Sequence, residues 1–325
     1  MISAYVRAVA VVGGICWLPT FPDRCPMPVD DIDAEFWFEL APLSAPYTPV
    51  LASTDVERAF GCHAARPLGR GAFGETWHVS GTPLVATGEA AAKVIYREGY
   101  PAARLTRETE GLQRTSSEHV VRLLTAGLVP LAGKERAVLV FEYVEGGDVA
   151  AAISAGSWPT HEQVHAFGIG VLRGLVALHE TNTAHRDIKP ENIALRGGDW
   201  SRPVLLDLGL SKQLDVDALT TYPQLLGTLP FMAPEQIRGE EARKAADVWA
   251  LGCVLHLLLT QKHPFFGPRN ERVPRAQALT IVAAGAPPLP EGVPEPLRGV
   301  ATRLLSPEAH ARGSAARALS MPRED

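Results

Sequence analysis

His185-Arg186-Asp187-Ile188-Lys189-Pro190-Glu191-Asn192 brings a carboxylate, an amine and a carboxamide together in one short run. Asp187 can accept a proton from a hydroxyl. Lys189, two positions on, can neutralise phosphate charge. Asn192 can offer its carbonyl oxygen to a divalent cation. These are the parts needed to move a phosphoryl group onto an alcohol, where catalysis is mostly positioning and charge stabilisation. An ordinary polar loop can carry part of such a run by chance, so the reading depends on what stands on either side.

Downstream, residues 193–195 and 204–206 read as short apolar strands joined by a Gly197-Gly198-Asp199-Trp200 turn. The second ends in Asp207-Leu208-Gly209, and the spacing of 20 (207 − 187) fits a hairpin between the two aspartates. Upstream, Thr160-x-x-Gln163 is a capping-box signature. Val164, Phe167, Val171, Leu175 and Leu178 follow at helical spacing, so a helix delivers the chain to the loop. Leu68-Gly69-Arg70-Gly71-Ala72-Phe73-Gly74 carries GxGxxG, a weak signal alone because a dinucleotide-binding turn reads the same way. Here Thr76 and His78 alternate with Trp77 and Val79, which predicts a strand after the glycines rather than a helix. Residues 90–95 read as a strand with one charge inside, Lys93; a lysine on a surface strand would look the same. Residues 137–144 read as a buried strand running into the turn Glu145-Gly146-Gly147-Asp148. Asp247-Val248-Trp249 opens a helix that is apolar almost all round through Leu259, hence buried, and too short for a membrane span.

In this order the motifs resemble the eukaryotic-type Ser/Thr protein kinases over most of the chain. The resemblance implies an α+β, two-lobed kinase fold, with a small β-rich N-lobe (59–144), a larger helical C-lobe (145–320) and a poorly ordered tail (1–58). It implies ATP and Mg2+ as cofactors and proteins as substrates. Gly69, Gly71 and Gly74 would form a flap over the phosphates, where the lack of Cβ atoms lets backbone amides approach. Lys93 would hold the α- and β-phosphates, and Ala91 would admit the adenine. Glu108, 15 residues on (108 − 93), would aim Lys93. It is preferred to Glu110 because Leu112 then falls one helical turn later and Leu123 at another buried family position. Phe141 would back the adenine pocket, backbone groups of Glu142 and Val144 would bond the adenine edge, and Asp148 would reach the ribose. Asp187 would act as base, Lys189 would neutralise the γ-phosphate, and Asn192 and Asp207 would hold metal; a carboxylate suits hard Mg2+. Gly227-Thr228-Leu229-Pro230-Phe231-Met232-Ala233-Pro234-Glu235 resembles the end of an activation segment. With Lys189 it speaks against a tyrosine kinase. Thr228 would bond the catalytic loop. A buried Glu235 needs a cation, and Arg312 stands at the family's position for it.

The chain has 325 residues, 46% hydrophobic and 21% charged, an ordinary composition for a soluble globular protein. A net charge of −5 argues against nucleic acid as a main partner, which calls for a basic face. Cys16, Cys25, Cys62 and Cys253 are scattered, with no disulfide framework, so a reducing compartment is expected, the cytoplasm first and the nucleus second. Residues 8–18 are apolar behind Arg7, but no small-x-small cleavage site follows, so neither secretory targeting nor stable membrane insertion is expected. Residues 19–49 are rich in proline and acidic side chains around Phe36-Trp37-Phe38, which predicts an extended segment. The aromatic trio suits docking on the kinase lobe or on a partner equally. The oligomeric state is left open.

Several positions depart from the family pattern. Thr76 and Ala194 stand where valine and leucine usually sandwich the adenine, so the sandwich should be looser. Gln224 stands where an activating phosphate is common; Thr220, Thr221 and Tyr222 are the nearest acceptors for an anion paired with Arg186. Leu210, after Asp207-Leu208-Gly209, resembles the residue of serine-preferring kinases. Glu191 and Asp148 fall where basophilic members place carboxylates. The expectation is therefore an active kinase preferring serine with arginine upstream. One rival is a pseudokinase acting as a binding or scaffolding module, which intact Lys93, Asp187, Asn192 and Asp207 count against. Another is a small-molecule phosphotransferase of related fold, which need not carry Lys189 or the Ala233-Pro234-Glu235 segment.

Overall fold

The computed structural model describes residues 37–39, 48–71, 74–86, 88–207, 229–240, 244–267 and 272–320. Strands β2 (Ala64–Gly71), β3 (Gly74–Ser80), β4 (Glu89–Glu98), β5 (Leu123–Leu131) and β6 (Lys134–Glu142) form one antiparallel sheet in the order β2-β3-β4-β6-β5. Period-two alternation gives this sheet two buried faces. Ile95, Leu139 and Phe141 point inward, into a core continuous with the helical lobe. Trp77, Val79, Val94, Val138 and Val140 point outward, into a second core. Helix α1 (Ser53–Phe60) closes that outer core with Val56 and Phe60, both buried. The boundary expected at residue 58 thus falls inside α1, and Leu51, ahead of it, is already buried. Strand β1 (Trp37–Glu39) also belongs to the expected tail. It pairs antiparallel with β9 (Arg272–Pro274) in the helical lobe.

Helix α2 (Ala102–Arg114) lies between β4 and β5 in the chain. Helix α3 (Val149–Ser154) follows the hinge, and α4 (His161–Glu180) begins on the expected capping box. Gln163 N–H donates to Thr160 Oγ1 at 3.3 Å and Thr160 N–H to Gln163 Oε1 at 2.9 Å. Strands β7 (Ile193–Leu195) and β8 (Pro203–Leu205) form the expected hairpin. Helix α5 (Pro234–Ile237) leads to α6 (Lys244–Thr260), whose residues from Ala246 to Leu259 are all buried. Helices α4 and α8 (Glu295–Leu304) pack on α6; α7 (Arg275–Ala283), α9 (Ala309–Arg312) and α10 (Ala315–Leu319) complete the lobe. Among the described residues no helix is long and apolar enough to cross a membrane.

One buried ion pair ties α5 to α9. Arg312 Nη1 and Nη2 donate to Glu235 Oε1 and Oε2 at 2.8 and 2.7 Å. The remaining guanidinium hydrogens go to the carbonyls of Ala245, Ser306 and Pro307, and Trp249 lies beneath, 5.1 Å to its centroid. Every strong donor is used, which a fully buried arginine requires.

Candidate active site: a phosphoryl-transfer cleft

The catalytic loop is held from below by one carboxylate. Asp247, at the start of α6 and buried, accepts the amides of His185 (2.8 Å) and Arg186 (2.7 Å) and bonds His179 Nε2 (2.9 Å). Arg186 takes φ 66°, a left-handed conformation uncommon outside glycine, and its bonded amide supports it there. His185 is fully buried. Its Nδ1 accepts the Asp187 amide at 3.3 Å, so Nε2 carries the proton and donates to Leu206 carbonyl at 2.7 Å. Burial lowers the His185 pKa, which keeps the ring neutral.

Above this base the polar groups converge. Asn192 Nδ2 donates to Asp187 carbonyl (2.7 Å) and to Asp187 Oδ2 (2.9 Å), which leaves the carboxamide oxygen as Asn192's group for a cation. Lys189 Nζ lies 3.1 Å from Asp187 Oδ2. Burial alone would lower the Lys189 pKa, but Asp187 and Glu191 beside it raise it, so the ammonium stays charged. Lys93 lies on β4 with its inward face shared by Ala91 and Ile95, the parity that aims it into the cleft. It forms an ion pair with Asp207. Burial acts to raise the Asp207 carboxyl, yet Lys93 overrides it and the pKa falls. Glu108 is on α2, but its side chain, like Leu210, Thr220, Thr221, Gln224 and Thr228, lies outside the described residues.

The hinge is fastened to the hairpin below. Glu142 N–H donates to Arg122 carbonyl at 3.0 Å, and the Glu142 carboxylate takes Arg122 N–H (3.1 Å) and Arg196 Nη2 (3.2 Å). Gly146 has φ 122°, and a Cβ there would sit 2.0 Å from Leu195 carbonyl oxygen, so only glycine lets hinge and hairpin meet. Among the described residues no backbone hydrogen bond engages Val144. Asp148 Oδ1 caps α3 through Ala151 N–H at 2.7 Å, and burial raises its pKa. The flap glycines differ among themselves. A Cβ on Gly74 would lie 2.1 Å from Val94 carbonyl oxygen, whereas one on Gly69 would meet nothing. Gly74 is thus demanded by strand packing as well as by any phosphate.

The oxygen donors fit Mg2+, which takes one or two protein ligands and completes its shell with phosphate and water. Among the described residues no group of three or more His, Cys, Asp or Glu side chains gathers as a metal cage. Sequence reading missed Asp247 as an anchor, although a carboxylate at the head of a wholly apolar helix is a visible signal. His179 gave none, being one polar residue on a helix.

A β-rich lobe hinged to a helical lobe, with lysine, two aspartates and asparagine facing one cleft, defines an ATP-dependent phosphotransferase. The chain belongs to the protein kinase family: the protein kinase domain profile matches residues 62–322. It is similar to mitogen-activated protein kinase kinase 7 of Arabidopsis thaliana, 31% identical over 297 residues, covering 88% of this chain and 90% of that protein. Serine/threonine-protein kinase pkn2 of Myxococcus xanthus is 29% identical over 78% of this chain, which spans 31% of that protein's length. The crystal structure of Rad53 1-466 in complex with AMP-PNP superposes with a TM-score of 0.62 at 27% identity, covering 78% of this chain and 62% of that one. The protein is a Ser/Thr protein kinase that uses ATP and Mg2+.

Proposed function

We propose that Asp187 is the group that orients the acceptor hydroxyl and takes its proton. The observation that carries this is the hold on its side chain: Asn192 and Lys189 both engage Oδ2, on a loop braced by Asp247. Lys189 neutralises the transferring phosphoryl group. Asn192 and Asp207 supply the metal ligands, and Lys93, aimed by Glu108, supplies the cation for the inner phosphates. Backbone groups of Glu142 and Val144 meet the adenine edge beneath Ala91, and Asp148 meets the ribose. Mg2+ supplies charge neutralisation at the phosphates; the chain's part is orientation and proton movement at Asp187. Phosphate transfer to a generic basic protein by the wild type, beside Asp187→Asn, tests the assignment. Equal rates would overturn it.

The acceptor preference proposed is serine, with arginine two or three residues upstream. Glu191 supports the second part. Its Oε2 is buried with no hydrogen-bond partner among the described residues, and burial raises its pKa. A guanidinium would relieve that carboxylate, and bidentate geometry adds direction. The serine preference rests on Leu210, whose bulk would crowd a threonine methyl. A positional peptide array with fixed Ser or Thr acceptors decides both parts separately. Indifference to upstream arginine removes the role of Glu191, and equal Ser and Thr rates remove that of Leu210.

A further inference from the structure

Glu75 directly follows the last flap glycine, and it is fully buried. Strand parity sends it outward with Trp77 and Val79, where a charge is costly unless it is well bonded. Among the described residues no ion pair reaches it. Neutral donors hold it instead. Tyr96 Oη donates to Oε1 at 2.8 Å and Trp77 Nε1 to Oε2 at 3.0 Å. The other two donors are backbone amides from outside the sheet, Val50 N–H and, more loosely at 3.4 Å, Leu51 N–H. Tyr96 is three residues beyond Lys93 on β4. The facing strand makes a second contact with the same segment: Arg70, between Gly69 and Gly71, donates to Thr48 carbonyl at 3.4 Å and lies over the Tyr96 ring, 5.8 Å to its centroid. Arg70 and Glu75 are cross-strand partners at the root of the flap.

We propose that Glu75 is a positioning residue for the nucleotide. By receiving the amides ahead of α1 it fastens residues 48–51 across both flap strands, so the setting of the flap, and with it ATP affinity, depends on chain upstream of the kinase sheet. This rests on the kinase reading for its consequence but not for its geometry. Fixing the flap root leaves fewer arrangements to be lost when the flap closes over phosphates, which acts on affinity more than on the chemical step.

Val50 gives the clean test, because the residue is 57% exposed and only its amide serves Glu75. Val50→Pro removes that donor, and Val50→Ala keeps it. In nucleotide-free protein, hydrogen exchange across residues 64–80 should quicken about tenfold in Val50→Pro and match wild type in Val50→Ala. The KM for ATP should rise about three- to tenfold with kcat nearly unmoved, the scale of one hydrogen bond. Glu75→Gln, which keeps the shape but turns an amide toward these donors, should shift both readouts the same way. Exchange in Val50→Pro equal to that in Val50→Ala overturns the proposal, as does a fall in kcat at constant KM. If the wild type transfers no phosphate while Val50→Pro still loosens residues 64–80, the proposed catalytic roles fail and the fastening of the flap stands.

Discussion

Asp207 and Lys93 form an ion pair across the cleft, and under the proposed roles Lys93 would turn to phosphate and Asp207 to metal. Asp207→Asn or Lys93→Met should therefore lower phosphate transfer by a factor of about a hundred or more. The melting temperature should fall much less than for the Glu235–Arg312 pair, since the Asp207 side chain is 42% exposed and water can screen the charge left behind. Labelled-phosphate transfer and thermal unfolding on the same samples check this; transfer retained above about a tenth of wild type would overturn the roles. The meeting of Lys93 and Asp207 in one cleft was legible in the sequence because each sits in a compact motif. Asp247 and Glu75 were not, because each works on backbone amides far along the chain. Glu75 shares a strand face with Trp77 and Val79, and a charge on that apolar face was a clue the sequence reading did not use.

At the scale of elements, the Glu235–Arg312 pair couples α5 to α9. Glu235→Ala and Arg312→Ala should each cost about 3–5 kcal/mol, since each strands a buried charge. In a double-mutant cycle the two losses should fall short of additive; strict additivity would show that they do not pair. Acid provides a second test. His263 is half-buried with its ring edge-on to Phe231, its Nδ1 accepts the amides of Phe265 and Phe266, and its pKa is pulled down to about 3 by desolvation and by nearby His256. In the unfolded chain the same ring titrates near its ordinary value. Below that value the unfolded state binds the extra proton, so stability falls with pH until the folded ring titrates near 3. His185, lowered in the same direction, adds to this limb. His263→Asn should flatten the decline in denaturation midpoint between neutrality and pH 4, and an unchanged slope would refute it. Helix α4 and the β7–β8 hairpin were legible from caps and periodicity. Helix α1 was not, because with Val56 and Phe60 as its buried residues it is too short for a period to register.

At the scale of the whole molecule, the described residues pack into two cores rather than one. The inner core runs unbroken from sheet to helices; the outer gathers sheet residues, α1 and Leu51 ahead of it. Phe60→Ala should cost about 3–5 kcal/mol as a cavity in the outer core. By calorimetry the loss should appear in the transition of the β-rich lobe, and an unshifted transition would show that α1 is not needed there. The two-lobed fold was legible because its motifs come in a fixed order; the outer core was not, because its cover lies upstream of every motif. That position has a consequence for biosynthesis. A ribosome builds the chain from its amino end, so α1 emerges before the strands it protects. As β3, β4 and β6 follow, Trp77, Val94 and Val140 find their cover already waiting, and the sticky side of the sheet is shielded as it forms.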